Sequence, residues 1–356
     1  IWLLTIILLS IYSLKHKDRT VGGTLTFVVF LSMIHLLQAV IYVFPWYEPS
    51  FDRNIVLLGF TEATIALLSF GMGTIVLFPL ARRLHAKFKT PRVKPMFSPP
   101  AFKQHIAYIY VGLGIFSYFA LGVIFAGIPS AQAFVGAVTR LWHVGTMIWL
   151  WEVFQGEKRT LGFLPITLIL IIWPILTVVR DGFLGFGIVP TIIVLIFIAF
   201  RVSRARYVIG GGIVLGYILL FVGSVYFESR NTIRQIVCYN NAIPNHLENV
   251  YNTVATNFHW LDVLDPAQLG WIDGRLGYNY PAGLVIERID SGLVRPANGR
   301  TLEDAVLMIV PRILWPEKPV AVGGSELFQY FTGIPIAVGT SVGLSPVVEL
   351  LSLIHI

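Results

Sequence analysis

"IVLLGFTEATIALLSFGMGTIVLFPL", residues 55–80, carries one charged side chain, Glu62. A helix that crosses a bilayer needs about 20 mostly apolar residues, so this run is long enough. It is followed directly by "ARRLHAKFKTPRVKP", residues 81–95, which is rich in cations and contains no acid. An apolar run closed by a basic stretch predicts a membrane-crossing helix whose basic end lies on the cytoplasmic side.

Seven further runs share this character: 1–14, 21–44, 105–128, 132–154, 161–179, 183–200 and 207–226. The chain has 356 residues, 56% of them hydrophobic and 13% charged, with mean hydropathy +0.75. Soluble domains carry about 25% charge. The expected fold is therefore an all-α polytopic membrane protein, a helix bundle of about eight spans. Neither a fixed-period repeat nor a low-complexity tract is visible.

The loops divide into two sets. Loops 15–20, 81–104, 155–160 and 201–206 hold fifteen Lys and Arg, whereas 45–54 and 180–182 hold two. The first set is expected in the cytoplasm. Most of the formal charge of +7 thus sets topology, and no nucleic-acid partner is needed to explain it. Residues 227–302 then emerge on the outer face as one large extracytoplasmic loop. Segment 303–350 is expected at the interface or re-entrant, leading into a C-terminal span. The closing "LSLIHI", 351–356, reads as an assembly-derived tail. The single cysteine, Cys238, excludes an intrachain disulfide.

Polar side chains inside apolar runs are costly and often functional. His35 and Gln38 lie three apart on one helix face, which suits either an interhelical hydrogen bond or a site. Arg140 and His143 are spaced likewise, and Arg140 either snorkels or binds substrate. Arg180 and Asp181 sit together as a local ion pair. Gly71, Gly73, Gly212 and Gly216 permit close helix approach. In the outer loop, Arg230 and Arg234 share a helix face. "FHWLDVLD" brings His259 near Asp262 and Asp265, and "VIERID" puts Arg288 and Asp290 on one face at strand spacing. Thr301 and Asp304 resemble a capping box. Zinc-type Cys/His spacing and a P-loop are both absent, and neither metal nor cofactor is expected.

The stretch "VPRILWPEKPV", 310–320, differs from all of this. Pro311, Pro316 and Pro319 hold the backbone extended. Trp315 suits the headgroup level. Arg312 offers a planar fork matched to phosphate oxygens, and Lys318 adds a point charge. From chemistry alone, a pyrophosphate site and an interfacial anchor with snorkelling cations are equally open.

With "GGSELFQYFTG" and "TSVGLSPVVEL" downstream, this stretch resembles the C-terminal signature of the oligosaccharide repeat-unit polymerases, the Wzy-type O-antigen and exopolysaccharide polymerases. "ERID" and the late large loop fit as well. The motif-level likeness covers about residues 285–350. It implies a membrane glycosyltransferase of the bacterial inner membrane that joins undecaprenyl-pyrophosphate-linked glycans, alongside a chain-length regulator and a flippase. By that resemblance Arg312 and Lys318 hold pyrophosphate, with Arg288, Arg230, Arg140 and Trp315 in support. His259 or Glu326 is the general base, and Trp260, Trp271 and Tyr280 either stack on sugars or pack the loop. An O-antigen ligase would share these features. Another polyprenyl-phosphate glycosyltransferase would use an early acidic pair, for which Glu48 and Asp52 are a faint match. A transporter would need inverted repeats and midplane charge, which the sequence does not display.

Overall fold

The computed structural model describes residues 1–15, 23–87, 105–125, 129–154, 163–201, 205–239, 245–296, 307, 315 and 324–336. Every regular element among them is helical. Each of the eight apolar runs forms a helix. These are α1 (Trp2–Lys15), α2 (Gly23–Ile41), α3 (Arg53–Ala81), α4 (Ile106–Ile124), the pair α5 (Pro129–Thr139) and α6 (Leu141–Phe154), α7 (Phe163–Asp181), α8 (Gly185–Arg201) and α9 (Ala205–Arg234). After them come α10 (His246–Thr256), α11 (Pro266–Leu276), α12 (Asn279–Asp290) and α13 (Gly324–Thr332).

Among the described residues, four helical stretches are long and apolar enough to cross a membrane: Gly23–Ile41, Arg53–Ala81, Ile106–Ile124 and Gly210–Cys238. Leu57, Ile65, Met72 and Val76 all lie exposed on α3. So broad an apolar surface belongs against lipid rather than water. The chain is a helical membrane protein.

The expected run 132–154 is broken at Arg140, where α5 ends and α6 begins. The last run is longer than its apolar part. Helix α9 continues through "FESRNTIR" to Arg234 and on into a π-helical turn, Gln235–Tyr239. Glu and Arg are good helix formers, so a polar sequence prolongs a helix that hydropathy alone would stop at residue 226. The expected Arg230–Arg234 face is therefore helical. The "VIERID" stretch is helical too, in α12. At 3.6 residues per turn Arg288 and Asp290 point to different sides, contrary to the strand-based expectation.

The chain divides into two compact units. One comprises residues 1–12, 27–81 and 261–356. Its first core, with Leu9, Leu31, Ala63 and Leu67, joins α1, α2 and α3. Its second, with Ala282, Val285, Ile289, Phe328 and Phe331, joins α12 and α13. Helix α12 packs against α3, while α11, separated from it by two residues, packs against the end of α2. Asp265 starts α11 by capping the Ala267 N–H at 2.9 Å, with Pro266 at the first helical position, where its missing N–H costs nothing. Helix α12 then runs antiparallel to the start of α3. A β-carbon on Gly59 would strike the Asn279 carbonyl, and one on Gly283 would strike the Ile55 carbonyl. Only glycines allow two backbones so close.

The other unit comprises residues 13–26 and 82–260. Gly114 lies against the Trp142 backbone and Gly145 against Ala107 and Val111, so α4 and α6 meet at van der Waals range. Leu150, Val194 and Phe197 tie α6 to α8. Leu184, Tyr226, Ile233, Ile236 and Val250 gather α9 and α10 around the turn after α7. Among the described residues, Gly212 and Gly216, expected to bring helices together, have nothing within contact of a β-carbon, and neither does Gly73.

Candidate functional site

Two polar assemblies stand out, one in each unit. The first lies where α11 and the start of α12 meet the end of α2. Residues Ser32–Leu36 form a π-helical turn inside α2. Such a widened turn disturbs the regular backbone ladder, and here two carbonyls find partners outside the helix. The Tyr278 N–H donates to the Ile34 carbonyl at 3.1 Å, and the Asn279 amide donates to the His35 carbonyl at 2.8 Å. His35 Nδ1 lies 2.7 Å from Asn279 Oδ1, and the Asn279 N–H donates to Gln38 Oε1 at 3.0 Å. Gln38 in turn donates to Asp273 at 2.6 Å. The other Asp273 oxygen accepts from Tyr47 at 2.8 Å and Tyr42 at 3.1 Å.

This assembly is closed. His35, Gln38, Asp273 and Asn279 are all 1% exposed or less. Burial pushes the Asp273 carboxyl above the usual carboxylate range, against the three donors that pull it down. Tyr47 is raised by burial and by the carboxylate it faces. His35 and Gln38 thus make the interhelical hydrogen bonds that their spacing allows. Trp46 adds a bond from Nε1 to the Val263 carbonyl at 3.0 Å, and Phe51 stacks on Tyr280 at 4.5 Å. Tyr280 is therefore occupied by a protein ring.

The second assembly is open. It sits at the polar end of α9, where Glu228, Thr232 and Ile236 follow one another at four-residue steps. His259 lies just beyond α10, with Nε2 2.9 Å from Glu228 Oε2 and Nδ1 3.3 Å from the Trp260 carbonyl. The Asn257 amide donates to Ser229 at 2.9 Å, which fixes the chain leading into His259. Trp260 stacks on Phe221 at 5.3 Å and keeps its other face exposed. A groove of about 450 Å³ opens beside this pair. Helix α9 supplies Thr232 and Ile236 to it. From α10 and its end come Asn249, Asn252, Thr253, Thr256 and Asn257.

The α10 residues recur at the i, i+3, i+4, i+7 spacing of one helix face. The sequence carries that signal as an uncharged polar stripe, which lacks the charged side chains that mark a site most visibly. Asp262 and Asp265 instead serve local turns, accepting from the Leu264 and Ala267 N–H groups at 2.9 Å each.

A third cluster surrounds the end of α7. Tyr118 donates to Asp181 at 2.6 Å, while Arg180 reaches the same carboxylate only at 3.9 Å. The Arg180 guanidinium lies over the Tyr118 ring at 4.1 Å. The expected ion pair is present but long, and the tyrosine holds the acid more closely.

Of the other candidate residues, Arg288 lies in the last turn of α12 with its guanidinium against Gly333. Its Nε is buried without a hydrogen-bond partner among the described residues. Arg230 is half-buried on α9, Arg140 is exposed between α5 and α6, and Glu326 is exposed in the first turn of α13. Trp315 is part-exposed, and Trp271 is also open to its surroundings. Arg312, Lys318, Thr301 and Asp304 lie outside the described residues. Glu48 is exposed, whereas Asp52 caps α3 through the Asn54 and Ile55 N–H groups. Among the described residues no three His, Cys, Asp or Glu side chains converge as a metal site would require.

The chain matches no protein-family model, and no curated protein and no solved structure is significantly similar to it.

Proposed function

We propose that this protein is an oligosaccharide repeat-unit polymerase of the Wzy type, acting at the outer face of a bacterial inner membrane. In this reading the eight apolar helical runs are spans and residues 227–302 lie outside the cytoplasm. The signature-like stretch 310–320 supports it at the level of sequence. The structural observation that carries it is the Glu228–His259 pair, one helical turn from an open polar groove at the end of α9. A histidine oriented by a carboxylate is the usual equipment of a general base. With Nε2 donating to Glu228 the basic nitrogen is Nδ1, which has to part from the Trp260 carbonyl, 3.3 Å away, to take a proton.

The reaction is a glycosyl transfer between two undecaprenyl-pyrophosphate-linked glycans. The bond from the anomeric carbon to pyrophosphate oxygen breaks, and pyrophosphate leaves with the electron pair. A new bond forms from that carbon to an acceptor hydroxyl, whose proton passes to His259, with Glu326 as the alternative base. Arg312 and Lys318 neutralise the charge that develops on the leaving group, with Arg288, Arg230 and Arg140 in support and Trp315 at the headgroup level.

Deleting the gene tests the reading directly. Surface polysaccharide is expected to collapse to single repeat units on a glycan ladder, and an unchanged ladder removes the proposal. Complementing the deletion with Arg312→Ala is expected to cost about 2–4 kcal/mol of transition-state stabilisation, roughly 30- to 1000-fold in rate. Arg312→Lys is expected to be impaired as well, because it keeps the charge and loses the two-pronged geometry. A fully active lysine variant at normal protein level would return Arg312 to an interfacial anchor.

A further inference from the structure

The groove between α9 and α10 has an unusual lining for a site near an acid and a histidine. None of its seven lining residues is charged. Three are asparagines, three are threonines, and the seventh, Ile236, supplies one apolar patch. Its volume of about 450 Å³ falls within the range of small-ligand clefts, about 300–1,000 Å³.

The chemistry of that lining selects among ligand classes. A phosphate or carboxylate would ask for a cation, and none is supplied. An apolar ligand would ask for more than one aliphatic side chain. A ligand whose every polar group both donates and accepts would match amides and hydroxyls, since these do the same. The hydroxyls of Thr253 and Thr256 donate to the carbonyls of Asn249 and Asn252, each at 2.8 Å. Their oxygens therefore remain as acceptors. Asn257 spends its NH2 on Ser229 and keeps its carbonyl oxygen. Asn252 and Thr232 are exposed, and Asn252 offers both halves of its amide.

We infer that the α9–α10 groove binds an uncharged, hydroxyl-rich sugar residue, placed one helical turn from the Glu228–His259 pair. Helical spacing puts Glu228 one turn before Thr232, and His259 follows Asn257 by two residues. Neither Glu228 nor His259 lines the groove itself, so the sugar has to extend past Asn257 for a hydroxyl to reach the imidazole. As the acceptor end of a glycosyl transfer this assignment rests on the polymerase reading. As a sugar site it rests on the lining alone.

The test uses the full chain in lipid nanodiscs with three soluble probes: chitotetraose, maltotetraose and tetragalacturonate. Hydrogen exchange is followed over residues 228–260 while each probe is titrated. At least one neutral probe is expected to protect residues 249–257 saturably, and tetragalacturonate is expected to leave them unchanged. Asn252→Leu and Thr256→Val, both at exposed positions, are each expected to weaken the neutral probe up to about ten-fold, the worth of one lost hydrogen bond. Asn252→Gln is expected to restore part of that loss.

Equal protection by the acidic probe, no protection by either neutral one, or variants that bind like the parent would each overturn the inference. Failure of the two readings is distinguishable. Neutral probes that bind a protein whose deletion leaves polysaccharide length unchanged would remove the polymerase and keep the groove. The converse result would remove only the groove.

Discussion

The polar cluster that joins α2 to α11 and α12 and the polar groove between α9 and α10 are built from similar groups to opposite ends. In the first, an aspartate, two amides, a histidine and two tyrosines pair with one another and the four innermost side chains are sealed from solvent, with one acceptor, His35 Nε2, left without a partner among the described residues. In the second, threonines bond back to their own helix and the remaining capacity faces outward. A buried donor left unpaired costs about 1–3 kcal/mol, so a closed cluster has to be nearly complete. An open one leaves its unused capacity to water, which a ligand can displace. The first arrangement holds a fold together and the second can hold something else. Residue type does not separate them; the completeness of pairing does.

Substitutions can break this contrast. The largest effect is expected at the open site. His259→Ala is expected to lower turnover by about 10²–10⁴-fold, the usual worth of a positioned general base, with an unchanged thermal midpoint. A large drop in midpoint instead would make the Glu228–His259 pair structural.

Next comes the closed site's backbone contact. Gly283→Val drives a side chain into the Ile55 carbonyl and is expected to cost about 3 kcal/mol. Limited proteolysis within 261–290 should become rapid while segment 228–260 stays protected. Equal proteolysis of both segments would count against separate roles.

Asp273→Ala is expected to follow at about 2–3 kcal/mol, because it orphans Gln38, Tyr42 and Tyr47. Glycan binding to the α9–α10 groove should survive it.

The smallest effect is the most diagnostic. Burial holds the Asp273 carboxyl above its ordinary range, so the folded chain takes up a proton there before the unfolded chain does. Its contribution is fully present below the ordinary carboxylate pKa and is lost as pH rises through the raised value. The midpoint of the parent protein should therefore fall across that window, and that of Asp273→Asn should be flatter. Identical slopes would mean that the carboxyl is stabilised as an anion by its three donors.

The sequence shows part of this contrast and hides the rest for definite reasons. All eight apolar runs are helices because hydrophobic composition over twenty residues is a strong, local signal. The extension of α9 through "FESRNTIR" is missed because hydropathy reports lipid contact, whereas helix formation continues wherever propensity permits. His35 and Gln38 are legible as hydrogen-bonding partners, since two polar side chains three apart in an apolar run need an explanation. Their partners are not, because Asp273 and Asn279 lie 235 and 244 residues away. The Gly59–Gly283 contact is hidden in the same way: each glycine alone looks ordinary, and only the pair has meaning. Gly212 and Gly216 make the reverse point, since their spacing suggests contact and their surroundings contain none. Glu228 is invisible as the partner of His259 until α9 is known to reach it.

The distance along the chain between His35 and Asn279 also sets a schedule. Helix α2 is made before the two helices that satisfy it, which follow 235–244 residues later. At roughly 5–20 residues per second, the ribosome needs about 10 to 50 seconds to supply the missing partners. Through that interval a histidine and a glutamine wait in an apolar helix with nothing permanent to bind. Newborn α2 must borrow hydration, lipid headgroups or an insertion factor until α11 and α12 arrive, and a chain released before residue 279 would keep that debt.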